Sequence, residues 1–408
     1  MNEEPKSVWR EAEARTMSNS FGGIEFYRSE FDPRSGSIVR IIPEVRRTNE
    51  YGYHDNYGGT IRKLYRQHGA VGWDHSENGP PLRPQWEQLY GWREDPFSPV
   101  PETVDVQLTN WCDYGCPYCY QSSTVKDGHC DPQLVENVIN GFSQPPYQIA
   151  YGGGEPTAHP EFANILKKTA ELGVVPNYTT AGHLLTDELI TASNRYCGGV
   201  ALTYHAWKGI KPFMAAYNRL REGFVGQLNI HVIADDQVVK NLQQLRQAIE
   251  AEHGAYAMMC VNIVLLAYYP QGRGKIGGVM SKQTYHRDLP KILQELIAVE
   301  CKIAFSEALL PYFLSRPYIG VDIRFASRAE GLFSCYVDRT GQMSKSSFAE
   351  YGIQSIYKET PQTIWDKHMH VNREGGGPPC YSCHLADRCA APDPHHYLAC
   401  AYAPHNSK

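Results

Sequence analysis

Three cysteines fall within eight residues, in the stretch Cys112-Asp113-Tyr114-Gly115-Cys116-Pro117-Tyr118-Cys119. This C-x3-C-x2-C spacing constrains the chain more than any other feature. It follows a β-type run, Thr103-Val104-Asp105-Val106-Gln107-Leu108, which places the thiols in a loop leaving the end of a strand. Gly115 and Pro117 bend that loop so that the thiols can converge. Three soft thiolates suit an iron–sulfur cluster, which normally takes four. The missing fourth ligand leaves one iron open to bind a substrate or cofactor. Three legs of a structural zinc site are the alternative. Zinc usually draws paired C-x2-C units to close its tetrahedron, and no second pair lies nearby.

A second motif lies downstream, Tyr151-Gly152-Gly153-Gly154-Glu155-Pro156. In this order, and with Tyr118 as the aromatic before the last cysteine, the two motifs resemble those of the radical S-adenosylmethionine (SAM) superfamily. The resemblance implies a [4Fe-4S] cluster held by Cys112, Cys116 and Cys119, with one open iron that chelates SAM. An electron from a donor such as flavodoxin or ferredoxin then splits SAM into methionine and a 5′-deoxyadenosyl radical, which takes hydrogen from carbon. It also implies cofactor contacts at Tyr118 and at the glycine-rich turn, where Gly153 and Gly154 expose carbonyls to the SAM ammonium and Glu155 adds a charge-assisted bond. Thr179 and Thr180 in Asn177-Tyr178-Thr179-Thr180-Ala181-Gly182, and Thr203 after the next apolar run, match strand-end positions near the cofactor. Leu266, in Val264-Leu265-Leu266-Ala267-Tyr268-Tyr269, matches a backbone contact to adenine. Plain structural threonines and a plain glycine turn are the bland readings of these residues. Tyr204, His205, Tyr268, Tyr269 and Arg324 can face a cavity or pack. The catalytic acid or base is unknown from sequence.

From residue 103 to 300 strand and helix signals alternate. Strands are expected at 103–109, 147–152, 174–180, 199–204, 227–233 and 257–267, and helices at 131–142, 160–172, 186–195, 211–222, 237–252 and 284–298. Asp131-Pro132 and Thr186-Asp187-Glu188 read as helix starts. Repeated strand–helix units of about 30 residues predict parallel strands with crossover helices. The fold class is therefore α/β, and the resemblance makes it a partial (β/α)6 TIM-like barrel with its site at the C-terminal strand ends. Residues 1–102 read as an irregular N-terminal extension, a possible lid or substrate-recognition region, with a weak edge strand at 37–47. The loop Gln271-Gly272-Arg273-Gly274-Lys275 lacks the spacing of a phosphate-binding loop and reads as a mobile basic loop at the mouth.

Residues 301–408 change character, with strand-like pieces at 301–305, 318–325, 332–338 and 342–348 and then a cysteine-rich tail. Cys380, Cys383, Cys389 and Cys400 fall within twenty-one residues and suggest a second metal site. They resemble the SPASM/twitch extension of the same superfamily, which implies one auxiliary [4Fe-4S] cluster. Ser346 and Asp393 stand where a further cluster's ligands would be. Cys335 is either a ligand that displaces Cys400 or a leftover thiol. A zinc knuckle with His384 or His395 is the alternative.

The chain has 408 residues, twelve cysteines and a formal net charge of −5. That charge favours neither nucleic acid nor an anionic membrane. No apolar run is long enough to span a membrane, and the first residues lack the apolar core of a signal peptide. Seven of the twelve cysteines sit in the two compact sets, a pattern of metal binding in a reducing, cytoplasmic setting rather than of disulfides. Cys260 and Cys301 lie in apolar stretches and read as core residues. Arg40, Arg46, Arg47, Arg62, Lys63 and Arg66 interleave with Tyr51, Tyr53, Tyr57 and Tyr65, either as a nucleic-acid track or as a solvated, tyrosine-rich lid. Three substrates follow: a peptide or protein residue, a nucleic-acid base or its amino-acid adduct, and a small molecule.

Overall fold

In the run Thr103–Thr109, Val104, Val106 and Leu108 are buried while Asp105 between them is exposed. This alternation puts one face of a strand against helices and the other toward a lumen. The same pattern recurs along the chain. The structure, a computed structural model, describes residues 7–21, 24–34, 37–43, 61–67, 70–71, 98–275, 278, 280–281, 283–306, 309, 330–349 and 352–369.

Six parallel strands follow in chain order: β6 Thr103–Thr109, β7 Gln148–Gly153, β8 Val175–Thr180, β9 Gly199–Thr203, β10 Gln227–Ala234 and β11 Asn262–Ala267. Between them run α1 Gln133–Asn140, α2 Phe162–Glu171, α3 Asp187–Tyr196, α4 Ile210–Gly223 and α5 Val238–His253, and α6 Leu289–Ala298 follows. Each helix turns an apolar stripe to the sheet. Leu242, Leu245 and Ile249 of α5 are fully buried, and each such side chain stabilises the fold by about 1.5–3 kcal/mol. Thr186 caps α3 by accepting the Leu189 N–H, with Asp187 and Glu188 in the first turn. The Asp131 carboxylate accepts from Gln133 N at the start of α1.

The sheet does not stop at residue 300. β12 Lys302–Phe305 adds a parallel strand beside β11, and β13 Ser334–Val337 pairs in parallel with β6 at the other edge. β14 Gln342–Ser344 and β15 Gln354–Ser355 continue antiparallel. The order is β12-β11-β10-β9-β8-β7-β6-β13-β14-β15, so the barrel is open. Polar pairs cross its sheet: Asn177 donates to Gln148 at 2.8 Å and Gln227 to Asn229 at 3.0 Å.

Three expectations are corrected. Residues 257–260 form a 3-10 turn before β11, and Cys260 there is exposed rather than in the core; Cys301 is buried, as expected. The expected helix over 284–298 opens with a π-helical turn, Thr284–Asp288. Among its described residues the N-terminal region is not irregular. Strands β1 Arg15–Phe21, β2 Ile24–Asp32, β3 Ser37–Pro43, β4 Ile61–Gln67 and β5 Ala70–Val71 form an antiparallel sheet. It docks at the N-terminal ends of the barrel strands. Tyr27 bonds Glu102, Ser29 bonds Tyr147 at 3.0 Å, and Phe31 stacks on Tyr147. In these contacts the sheet forms a floor under the barrel strands; residues 44–60, which carry much of the tyrosine-rich stretch read as a lid, lie outside the described residues. The expected strand at 318–325, Arg324, Arg46, Arg47, Tyr51, Tyr53, Tyr57, the tail cysteines Cys380, Cys383, Cys389 and Cys400, and His384 and His395 lie outside the described residues. Among the described residues no helix is long and apolar enough to cross a membrane.

Candidate active site

The cysteine loop leaves the C-terminal end of β6. Cys112 N donates to Thr124 O at 3.1 Å and Cys119 N to Cys116 O at 3.3 Å, and Gly115 turns the chain with φ +73°. All three thiols are partly exposed. Burial pushes the Cys116 thiol up to about 12, and Cys112 and Cys119 push it further in the same direction. Cys112 is raised chiefly by burial, with Glu155 and Cys119 adding to the rise. The thiols thus lie within one another's fields, and a bound cation would favour their ionised form. They do not stand in ligand geometry: no trio of His, Cys, Asp or Glu among the described residues does.

The glycine-rich turn at the end of β7 meets this loop backbone to backbone. Gly154 N donates to Thr109 O at 2.7 Å and Glu155 N to Trp111 O at 2.9 Å. A Cβ on Gly153 would lie 2.1 Å from Thr109 O, and one on Gly154 2.1 Å from Trp111 O. Gly153 also holds φ +116°, a conformation open to glycine. Glycine is therefore what allows the turn to reach the cysteine loop. The soft donor set and this close approach fit a thiolate-held cluster with a cofactor beside it.

Glu155 is 2 % exposed. Its Oε1 accepts from Thr157 N, from Thr157 Oγ1 at 2.6 Å and from Thr180 Oγ1 at 2.7 Å, and its Oε2 accepts from Ala181 N at 2.8 Å. The carboxylate therefore ties the turn to the end of β8, and Thr180 is its partner.

A cavity of about 400 Å³ opens at this mouth. Tyr118, Gly153, Thr179 and Leu266 line it, as do Tyr268 and Tyr269. Gly154, Glu155, Thr180 and Thr203 are not among the residues that line it. Tyr204 packs edge-on against Phe213 and donates to Gln244 at 3.1 Å, which makes it a packing residue. Cys335 is 1 % exposed, lies opposite Val104 in β13, and has its thiol driven up by burial. It sits in the sheet core.

Tyr114, His183, Lys208 and His231 escaped the sequence reading, which named His205 only as able to face a cavity or pack. Tyr114 packs on His183 and His205, with Lys208 over its ring at 5.1 Å. His183 meets Asp113 at 2.6 Å. His205 Nδ1 lies 2.9 Å from the Tyr118 hydroxyl and 3.6 Å from Cys116 Sγ, and burial lowers its pKa to about 4, so its imidazole is neutral. His231 reaches the cavity from β10 and is likewise held neutral by burial. The loop 271–275 is not a mobile basic loop. Arg273 N donates to Cys119 O at 2.9 Å, Nε to Cys116 O at 2.8 Å and Nη1 to Ser123 O at 2.8 Å. No local pattern announces such contacts, because they recognise a backbone about 150 residues away.

Residues 106–266 match the family model described as the Radical SAM superfamily. The PqqA peptide cyclase of Rhodopseudomonas palustris is 28% identical over 96 residues, covering 23% of this chain and 26% of that protein. The tungsten-containing aldehyde ferredoxin oxidoreductase cofactor-modifying protein of Pyrococcus furiosus is 30% identical over 89 residues, 21% of this chain and 25% of that one. The chain thus spans about a quarter of the length of the curated relatives it matches. Among solved structures, Streptococcus suis SuiB bound to precursor peptide SuiA superposes with a TM-score of 0.57 at 14% identity, over 72% of each chain. That likeness carries the partial-barrel fold.

Proposed function

We propose, from a chain whose residues 106–266 form a radical SAM domain, an enzyme that cleaves SAM reductively and abstracts hydrogen from a carbon of a peptide or protein residue. When bound, a [4Fe-4S] cluster with one open iron supplies the electron that splits the carbon–sulfur bond, leaving a 5′-deoxyadenosyl radical as the abstracting agent. Cys112, Cys116 and Cys119 would hold it. The carbonyls of Gly153 and Gly154 would accept from the SAM ammonium, with Glu155 fixing their turn rather than touching the cofactor. Thr179, Leu266 and Tyr118 would line its bed, and the rings of Tyr268 and Tyr269 would keep water out.

The observation that carries this reading is the glycine contact. Gly154 N donates to Thr109 O at 2.7 Å, which joins the two motifs at the mouth of one cavity. The test is anaerobic reduction with SAM, assayed for 5′-deoxyadenosine. Release of the nucleoside is expected; no release with any reductant ends the reading. Flavodoxin or ferredoxin is the proposed donor class.

The peptide assignment is supported by the PqqA peptide cyclases among the matching relatives. Co-elution with a short peptide encoded beside this chain is expected. A small-molecule substrate is the second reading, and the cofactor-modifying relative favours it. A nucleic-acid substrate would require retention on DNA or RNA that falls steeply with salt. We also assign an auxiliary [4Fe-4S] cluster to Cys380, Cys383, Cys389 and Cys400. About eight irons per anaerobically purified chain support it; about four irons remove it.

A further inference from the structure

Arg273 carries a positive charge that no carboxylate among the described residues answers. Its three hydrogen bonds in the described residues all end on backbone oxygens: those of Cys116, Cys119 and Ser123. Its Nη2 is out of solvent and has no acceptor there. The approach is tight. A Cβ on Gly272 would lie 2.3 Å from Tyr120 O and 2.6 Å from Cys119 O, and Gly272 holds φ +58°. The loop 271–275 follows β11 and the cysteine loop follows β6, at opposite ends of the run of six parallel strands. Arg273 therefore straps together, at the mouth, two strands that the sheet never pairs.

We infer that Arg273 is a positioning residue that holds the backbone of the cysteine loop in place for ligation and supplies the cationic side of its electrostatic environment. The inference rests on the radical SAM reading of the cysteine loop. A guanidinium reads carbonyl oxygens with a rigid fork of donors, so its two bonds, to Cys116 O and Ser123 O, fix the loop backbone on both sides of Cys119, where the Arg273 backbone N–H adds a third. A partly buried cation with no carboxylate partner is costly by itself. Beside a cluster that three thiolates render anionic, the same charge is compensated, and it stabilises the more negative reduced state. Charge and hydrogen bonds near the sulfurs are among the factors that set a cluster's potential. The unpaired Nη2 leaves its N–H donors available for an acceptor at the loaded site.

Two variants separate the roles. Arg273→Gln removes the charge and most of the fork; Arg273→Lys keeps the charge and loses the fork. Each full-length protein is reconstituted anaerobically beside the wild type. Iron retention is measured after gel filtration, and the midpoint potential is measured on the EPR signal that changes when SAM is added. Circular dichroism of the apo-proteins identifies any variant that does not fold. Arg273→Gln should lose iron several-fold faster. Its reduced-to-oxidised ratio at fixed ambient potential should fall about tenfold, a shift of about 59 mV for one electron. Arg273→Lys should lose iron faster than wild type yet keep most of the potential. Wild-type retention and potential in both variants would overturn the inference while leaving the radical SAM reading intact. A wild-type protein that takes up no SAM-responsive cluster would overturn that reading, and this inference with it. If Arg273→Gln does not fold, Arg273→Lys decides: unchanged iron retention in it overturns the strap.

Discussion

The two ends of the parallel strands have opposite chemistry. At the C-terminal ends stand three thiols, a run of glycines and a cavity, joined by backbone hydrogen bonds and by Arg273. At the N-terminal ends Phe31 stacks on Tyr147 at 4.8 Å, Tyr27 on Phe333 at 5.6 Å, and the Arg15 guanidinium lies over both Phe31 and Tyr147. Trp9 donates its indole N–H to Tyr196 O. The first end gives up apolar burial for accessible donors and acceptors. The second is closed by a sheet that buries large rings. Activity should therefore be lost at the mouth with little loss of stability, and stability at the floor with little loss of activity per folded molecule.

The sharpest break in that comparison is Cys116→Ala. It should reduce 5′-deoxyadenosine formation to background while changing the unfolding free energy of the apo-protein by about 1 kcal/mol or less, read by chromatography and by denaturant unfolding. Next comes Gly154→Ala. Its methyl would have to clear Trp111 O, and displacing the turn by about 1 Å should cost roughly a hundredfold in turnover. At the floor, Phe31→Ala should cost about 3–5 kcal/mol of stability, with SAM cleavage per folded molecule unchanged. If cleavage fell in parallel, the two ends would not be separable. Glu155→Gln sits between them. It puts an amide among four donors and should cost about 1–3 kcal/mol, with a weaker secondary effect on SAM affinity. The smallest effect belongs to Thr203→Val. Thr203 lies off the cavity wall, so its loss should change SAM affinity by only about twofold, the scale of a change of about 0.5 kcal/mol.

The barrel was legible in the sequence because its signals are local. A period of two in the strands, capping side chains such as Thr186, and glycine at the strand ends all act within a few residues. The floor was not legible, for a specific reason. In β2 the buried positions are Tyr27, Ser29 and Phe31, and a serine in a core position breaks the apolar alternation. Ser29 is tolerated there because the Tyr147 hydroxyl answers it. The polar run of β1, Arg-Thr-Met-Ser-Asn-Ser-Phe, carries still less signal. At the site, the three cysteines and the glycine turn announce themselves by residue type. The occupation of Glu155 by Thr157, Thr180 and Ala181 does not, because it depends on where β8 ends in space. Cys335 looked available because it stands near a ligand position of the extension that the cysteine tail resembles. The parallel pairing of β13 with β6 is what buries it.

An electron–nuclear double resonance experiment on the reduced protein, with SAM labelled with nitrogen-15 at its amino group and oxygen-17 at its carboxylate, addresses the open iron directly. Hyperfine coupling of both labels to the cluster is the expected result, with the signal absent in Cys116→Ala. A reduced cluster whose spectrum ignores both labels, or that carries a fourth protein sulfur, would contradict a vacant iron at the barrel mouth.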